Sequence, residues 1–254
     1  MLGIFTRLVF LGAAQRRCLA RGLPIFTYHK ISKPPKRTTD PFLYVTAEKF
    51  DQELGALRAA GYQSGSLDQL PSPGDSTSQF AIITFDDAFA NVLKNALEPL
   101  RRHRFSAIQF VVAGRLGQIN DWDLDKGDLS ENLMDETQIR EWLAAGHDLG
   151  SHSMTHRNLR HLNAGDLREE IFGSKKALED KFGRAIRHFC YPYGSYNDAV
   201  KDLVRQAGYQ TASTVKFGVN NSKVSPLELR RIIPLTDAEL IGKVWHRLSR
   251  RVAA

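Results

Sequence analysis

A single-domain α/β fold, a distorted barrel of about seven parallel strands, is what this sequence predicts, and three observations carry the prediction. From Leu23 onward, apolar β-prone runs alternate with amphipathic segments, the pattern of parallel strands with helices outside. His29, Asp86, Asp87, His152, His156 and Tyr193 all fall at expected strand ends, where parallel barrels build their sites. The chain's 254 residues, 42% hydrophobic and 25% charged, suit one large globular domain with a sizeable core.

Taken in order, Leu23 to Thr27 reads as a strand ending in Tyr28-His29-Lys30, followed by a Pro- and Lys-rich loop to Tyr44. Thr46 caps a helix whose apolar face is Phe50, Leu54 and Leu57 and which ends at Gly61. Pro71 to Ser78 is a loop by composition. Phe80 to Phe85 is a continuous apolar strand that ends in Asp86-Asp87, because a strand buried on both faces cannot carry two carboxylates into the core. A helix follows near Asn91 to His103, then a strand from Ala107 to Val112. Gly114 to Met134 is a long polar insertion containing Trp122, of the kind that often serves as a lid. Asp135 and Gln138 form a capping box for a helix carrying Ile139, Trp142 and Leu143. A short strand, Asp148 to Ser151, leads to His152; a helix spans Ala164 to Phe182; Ile186 to Tyr191 is the next strand, running into Pro192-Tyr193-Gly194. A helix from Asp198 to Ala207, strands at Gln210 to Thr214 and Leu229 to Ile233, and a basic helix from Asp237 to Arg250 complete the chain.

Residues 1–22 stand apart from the domain expected over 23–254. Their apolar run, Leu8 to Ala14, is short and is followed by Arg16, Arg17 and Arg21, which suits an amphipathic basic helix on the domain or on a membrane surface better than a signal peptide. No stretch reaches the length of a transmembrane span. A cytoplasmic location, with peripheral contact at the cytoplasmic membrane, is the expectation. Two cysteines, Cys18 and Cys190, exclude a disulfide scaffold. The net charge of +7 reads as a basic solvated surface; no zinc finger, RNA-recognition signature or phosphate loop accompanies it, so nucleic acid is not an expected partner. Composition assigns no oligomeric state.

The stretch Gly150 to His156 offers two imidazoles four residues apart, a spacing that on a helical turn points both at one metal ion. A hydrolytic zinc site wants a third protein ligand and an open position for water. The paired aspartates supply the carboxylate. Capping of the following helix would explain one Asp, not two. Tyr193 fits turn chemistry around Pro192 and Gly194, and Trp122 suits either a sugar face or the anchoring of its own loop. Cys190 reads as a small buried apolar residue.

These residues together resemble the polysaccharide deacetylase family, the group sharing the NodB homology domain. Thr84-Phe85-Asp86-Asp87 is similar to its first motif, His152-Ser153-Met154-Thr155-His156 to its second, and Tyr191-Pro192-Tyr193-Gly194 to its third. The resemblance covers roughly Leu23 to Pro234, and the three motifs are specific in combination. It implies a NodB-like barrel and a divalent metal, zinc with cobalt or nickel as alternatives, held by Asp87, His152 and His156. Asp86 is then the general base, and the backbone N–H of Tyr193 faces the oxyanion. Tyr191, Pro192, Trp122 and Arg231 are expected along the substrate groove.

The sequence departs from the family pattern at three places. Ala88 replaces the Gly that usually follows the paired Asp, Cys190 stands where many members have an Arg that orients the base, and Leu229 to Pro234 contains no His where the family's late motif supplies the general acid. His29, in a Tyr-His pair at a strand end, is the expected replacement, and Arg230 or Arg231 could orient Asp86 or bind an anionic sugar. The implied reaction is removal of acetyl groups, N-acetyl ahead of O-acetyl, from an acetylated glycan or lipid-linked oligosaccharide during surface-polysaccharide construction or tailoring. The alternatives are a non-catalytic glycan-binding module on the same barrel and a metal hydrolase of another non-peptide amide.

Overall fold

Seven parallel strands run side by side and almost close on themselves. The computed structural model describes residues 19, 21–70 and 79–233. The expected basic segment at the amino end (apart from residues 19, 21 and 22), the 71–78 loop and the basic helix after Asp237 lie outside the described residues.

The strands are β1 (Ile25–Tyr28), β2 (Lys30–Ile31), β3 (Tyr44–Val45), β4 (Gln63–Ser64), β5 (Phe80–Phe85), β6 (Ala107–Val111), β7 (Asp148–Ser151), β8 (His188–Cys190), β9 (Thr211–Phe217) and β10 (Leu229–Arg231). The barrel order is β1-β5-β6-β7-β8-β9-β10, with β4 added beside β5 and a separate β2-β3 ribbon. All named pairings are parallel, from Ile25 opposite Ile82 on one side to Cys190 opposite Ser213 on the other. Ile232 nearly closes the ring by donating its N–H to Ile25 O at 2.8 Å and accepting from Thr27 N at 3.0 Å.

Side-chain alternation divides the strands into two cores. Ile25, Ile82, Ile108, Phe110, Cys190 and Leu229 fill the barrel interior. Phe26, Tyr28, Ala81, Ile83, Phe85, Val111 and Phe189 face outward into a larger layer shared with the helices. Gly150 is required inside: a Cβ there would stand 2.6 Å from the Phe110 ring.

The helices are α1 (Ala47–Ala59), α2 (Ala90–His103), α3 (Glu136–Ala144), α4 (Ala164–Arg168), α5 (Ser174–Phe182) and α6 (Asp198–Gln206). Thr46 accepts from Lys49 N at 3.2 Å to start α1. Asp135 and Gln138 form the expected reciprocal capping box at α3. The segment expected as one helix over 164–182 is interrupted by a π turn at Glu169–Gly173. β8 is shorter than the expected 186–191 strand, and β9 runs longer, to Phe217. The 114–134 insertion is pinned rather than loose. Ile119 bridges Asn132 and Phe89 bridges Leu133, Asn120 is buried, and Asp128 accepts from Thr38 Oγ1 at 2.8 Å and Thr39 N at 3.0 Å. Among the described residues no helix is long and apolar enough to cross a membrane.

Candidate active site

Strand periodicity brings the site together at the carboxyl ends of the strands. Thr27 and His29 continue the inward register of Ile25; Thr84 and Asp86 continue that of Ile82; Arg231 continues that of Leu229. Asp87 comes next, with φ 73°, a turn out of the strand that aims it differently from its neighbour.

Asp87, His152 and His156 converge. Oδ1 of Asp87 is 3.4 Å from His152 Nε2 and 3.3 Å from His156 Nε2, and all three residues are buried. The other ring nitrogen of His152, Nδ1, lies 2.8 Å from Cys190 O, so it carries the proton and leaves Nε2 with its lone pair toward Asp87. Burial lowers the pKa of His152 against the opposing pull of Asp86 and the Cys190 carbonyl, which favours the neutral ring. A carboxylate oxygen and an imidazole lone pair facing each other repel unless a cation lies between them. Two ligands about 2.1 Å from a zinc ion at a tetrahedral angle stand about 3.4 Å apart, the spacing seen here. The donor set fits a divalent metal.

The histidine pair does not sit on a helical turn, as its spacing suggests. The chain leaves β7 as a loop in which Ser153 has φ 67° and His156 has φ 62°, and Ser153 Oγ accepts from His156 N at 3.1 Å. The loop doubles back, so the residues converge through a tight reversal and not through helical periodicity.

The His156 ring lies between two aromatic residues. Trp122 stacks on it with centroids 4.4 Å apart, and Tyr193 meets it edge-on at 4.6 Å. Trp122, expected to touch substrate, therefore gives one face to His156. Tyr193 has φ 59° within the 192–194 turn and is 42% exposed at the mouth of the site.

Of the roles open to Arg231, orienting Asp86 or lining the substrate groove, the structure shows the first: it is buried and donates from Nη1 and Nη2 to the two oxygens of Asp86, each at 2.7 Å. Its Nε donates to Thr214 O at 2.9 Å, which fixes the guanidinium plane. Burial pushes the Asp86 pKa up, but the charge and hydrogen bonds of Arg231 outweigh it and hold the carboxyl well below the usual range. Cys190 Sγ lies 3.2 Å from Arg231 Nη2. The small side chain of Cys190 leaves room for an arginine arriving from β10, two strands away in the sheet.

Tyr191 and Pro192 are also displaced from the groove. Both are buried; Tyr191 stacks on Tyr196 at 4.5 Å and donates to Leu227 O at 3.0 Å. They shape the turn from behind because the strand ends one residue earlier than expected. His29 Nε2 is 3.7 Å from Asp86 Oδ2. Its side chain keeps 26% exposure, and desolvation, opposed by Asp86, lowers its pKa to about 4.

Glu170 has no counterpart among the expected site residues. It is buried, and it accepts from Met154 N and Thr155 N, each at 2.9 Å. The available signal was a carboxylate on the apolar face of a helix, next to Ile171 and one turn from Leu167 and Ser174.

Comparison with known proteins points the same way as this geometry. The profile of the family described as polysaccharide deacetylase matches residues 74–212. The YxkH protein of Bacillus subtilis (strain 168), described in the same terms, is 25% identical over 215 residues, covering 83% of this chain and 70% of its own length. A poly-beta-1,6-N-acetyl-D-glucosamine N-deacetylase of Staphylococcus aureus (strain MSSA476) is 27% identical over 168 residues, 64% of this chain; the match spans 57% of that relative. Among solved structures, the Streptococcus pyogenes deacetylase PplD in complex with acetate superposes with a TM-score of 0.69 at 24% identity, covering 84% of this chain and 92% of that one. IcaB from Ammonifex degensii gives a TM-score of 0.70 at 21% identity, covering 88% and 96%. Both likenesses are likenesses of fold.

Proposed function

The chain belongs to the polysaccharide deacetylase family, and from that premise we propose that it hydrolyses acetyl groups from an acetylated glycan in a metal-dependent reaction, N-acetyl in preference to O-acetyl. The observation that carries the reading is the convergence of Asp87 Oδ1 with the Nε2 atoms of His152 and His156 at 3.4 and 3.3 Å, beside a second carboxylate held by its own arginine. The substrate preference is supported by the Staphylococcus aureus relative, whose name specifies N-deacetylation of a poly-N-acetylglucosamine.

A divalent metal held by Asp87, His152 and His156, zinc first and cobalt or nickel as alternatives, would supply a water of lowered pKa and polarise the acetyl carbonyl. The remaining work falls to the chain. Asp86 accepts the water proton as general base; its two hydrogen bonds from Arg231 keep it ionised and aimed. The Tyr193 N–H donates to the developing oxyanion. His29, 3.7 Å from the oxygen of Asp86, gives that proton a short route to the leaving amine and takes the role of acid. Arg231 is a positioning residue in this scheme, acting through Asp86. The position of His29 supports an enzyme over a non-catalytic glycan-binding module, because a neutral imidazole beside the base can pass the proton that Asp86 takes up on to the leaving group.

The test is acetate release from a panel of N- and O-acetylated glycans, using protein stripped of metal and then reloaded with zinc, cobalt or nickel. Release restored by metal, absent in Asp86→Asn and reduced in His29→Ala with an altered pH profile, is the expected result. Glycan binding without release from any substrate would return the binding module to first place. Turnover of His29→Ala indistinguishable from the parent would remove His29 from the scheme.

A further inference from the structure

The loop that presents His156 is held in an unfavourable backbone conformation. Ser153 and His156 both have positive φ, 67° and 62°, a region unfavourable to L-residues that persists only where the surroundings impose it. Between them lie Met154 and Thr155, whose N–H groups both donate to one oxygen of Glu170 at 2.9 Å. The Thr155 hydroxyl donates to the other oxygen of the same carboxylate. From the opposite side, Ala113 N donates to Ser153 O at 3.0 Å and Gly114 N to Met154 O at 2.8 Å. Gly114 cannot carry a side chain there, since a Cβ would stand 2.8 Å from Met154 O.

Glu170 reaches the loop from the π turn at Glu169–Gly173, where it and Ile171, neighbours in sequence, are both buried. π turns are uncommon and cluster at functional sites. A buried carboxylate with no basic partner would be costly; here three donors of one loop meet it. The arrangement is far more specific than filling space requires.

We propose that Glu170 is a positioning residue of the metal centre: its carboxylate sets the backbone of 153–156 and thereby the placement of His156 Nε2 opposite Asp87. The proposal rests on the metal-dependent reading above. Glu170 touches neither ligand side chains nor substrate in this scheme, so its effect passes through the loop. A purely structural Glu170 would stabilise the fold and leave metal affinity alone, whereas a positioning Glu170 controls how well three donors converge. Removal of groups that orient metal ligands typically costs about 10- to 100-fold in affinity.

The experiment is cobalt titration of the metal-free full chain, followed by its visible absorption spectrum and by chelator competition, well below the melting temperature of each variant. Glu170→Gln keeps the volume but loses one acceptor oxygen, and is expected to bind cobalt about 10-fold or more weakly with an altered spectrum. Thr155→Val deletes only the hydroxyl bond and should show a smaller loss in the same direction, while Thr155→Ser restores parental affinity. A folded Glu170→Gln with parental affinity and spectrum overturns the proposal. Should that variant not fold, Thr155→Val decides, and parental affinity there overturns it equally. Parental protein that binds no cobalt, or binds it indifferently to Asp87→Asn, fails the metal reading itself, and this inference with it; that outcome is separate from a metal site that forms without help from Glu170.

Discussion

Arg231 and Asp86 show how much one residue pair controls here. Two nitrogens of one guanidinium meet both oxygens of one carboxylate in a buried setting, where either partner left alone is an uncompensated charge. Arg231→Met is therefore expected to lower stability by roughly 3–5 kcal/mol and to abolish most activity, both read on the same preparation by denaturant unfolding and acetate release. Adding Asp86→Asn should recover a large part of the lost stability and none of the activity, because it removes the stranded charge together with the base. A double variant no more stable than Arg231→Met would mean that the arginine acts through packing and not through Asp86. Arg231 was also legible in principle: it lies two residues after Leu229, and the same inward register that predicts Leu229 in the barrel predicts Arg231 beneath the site. What sequence periodicity lacked was the neighbour of that inward face, since β10 meets Asp86 only through barrel closure.

Among elements, the 114–134 insertion behaves as a brace for the metal-ligand loop. Trp122 stacks on His156 at 4.4 Å, and an aromatic pair of this kind contributes about 0.5–1.5 kcal/mol beyond its buried area. Trp122→Ala should weaken metal binding several-fold, with Trp122→Phe restoring most of it, as measured by chelator competition. Equal affinities in all three proteins would return Trp122 to the substrate. The contact of α1 with β1 carries a pH dependence. Tyr28 donates to Glu53 Oε2 at 2.9 Å, yet desolvation outweighs that bond and raises the Glu53 pKa to about 7. The folded state thus holds a proton that the unfolded chain has released above about pH 4.5. Stability is accordingly expected to fall as pH rises from about 4.5 to about 7, by on the order of 1–3 kcal/mol from this group. Glu53→Gln should flatten that part of the curve in urea unfolding at stepped pH. An unchanged slope would assign the dependence elsewhere.

At the scale of the whole molecule, near-closure of the barrel is what makes a site. β10 reaches β1 through Ile232, whose N–H donates to Ile25 O and whose carbonyl accepts from Thr27 N. These contacts bring Arg231 across to Asp86 and His29 to the same rim. Ile232→Pro deletes the N–H and leaves Ile25 O without its donor, at an expected cost of about 1–3 kcal/mol. Hydrogen exchange should then show lost protection at Thr27 and neighbouring β1 amides, together with lower activity from a loosened Arg231. Protection equal to the parent's would mean that the β1-β5 ladder alone orders this edge.

The barrel class, the succession of strands and helices, and the placing of Asp86, Asp87, His152 and His156 at strand ends were all determined by the sequence itself. Hydrophobic periodicity is a local property, and a buried strand cannot extend through two carboxylates. Only the tertiary structure decided the rest. The His pair converges through a reversed loop with two positive-φ residues, which spacing alone read as a helical turn. Tyr191 and Pro192 moved behind the groove, Arg231 was settled on Asp86 and not on substrate, and Glu170 entered as an unforeseen clamp. These features depend on contacts between different elements, separated by 15 residues for Glu170 and Thr155 and by 145 for Arg231 and Asp86. Periodicity says which way a side chain faces on its own element; what it faces is settled only when the barrel closes.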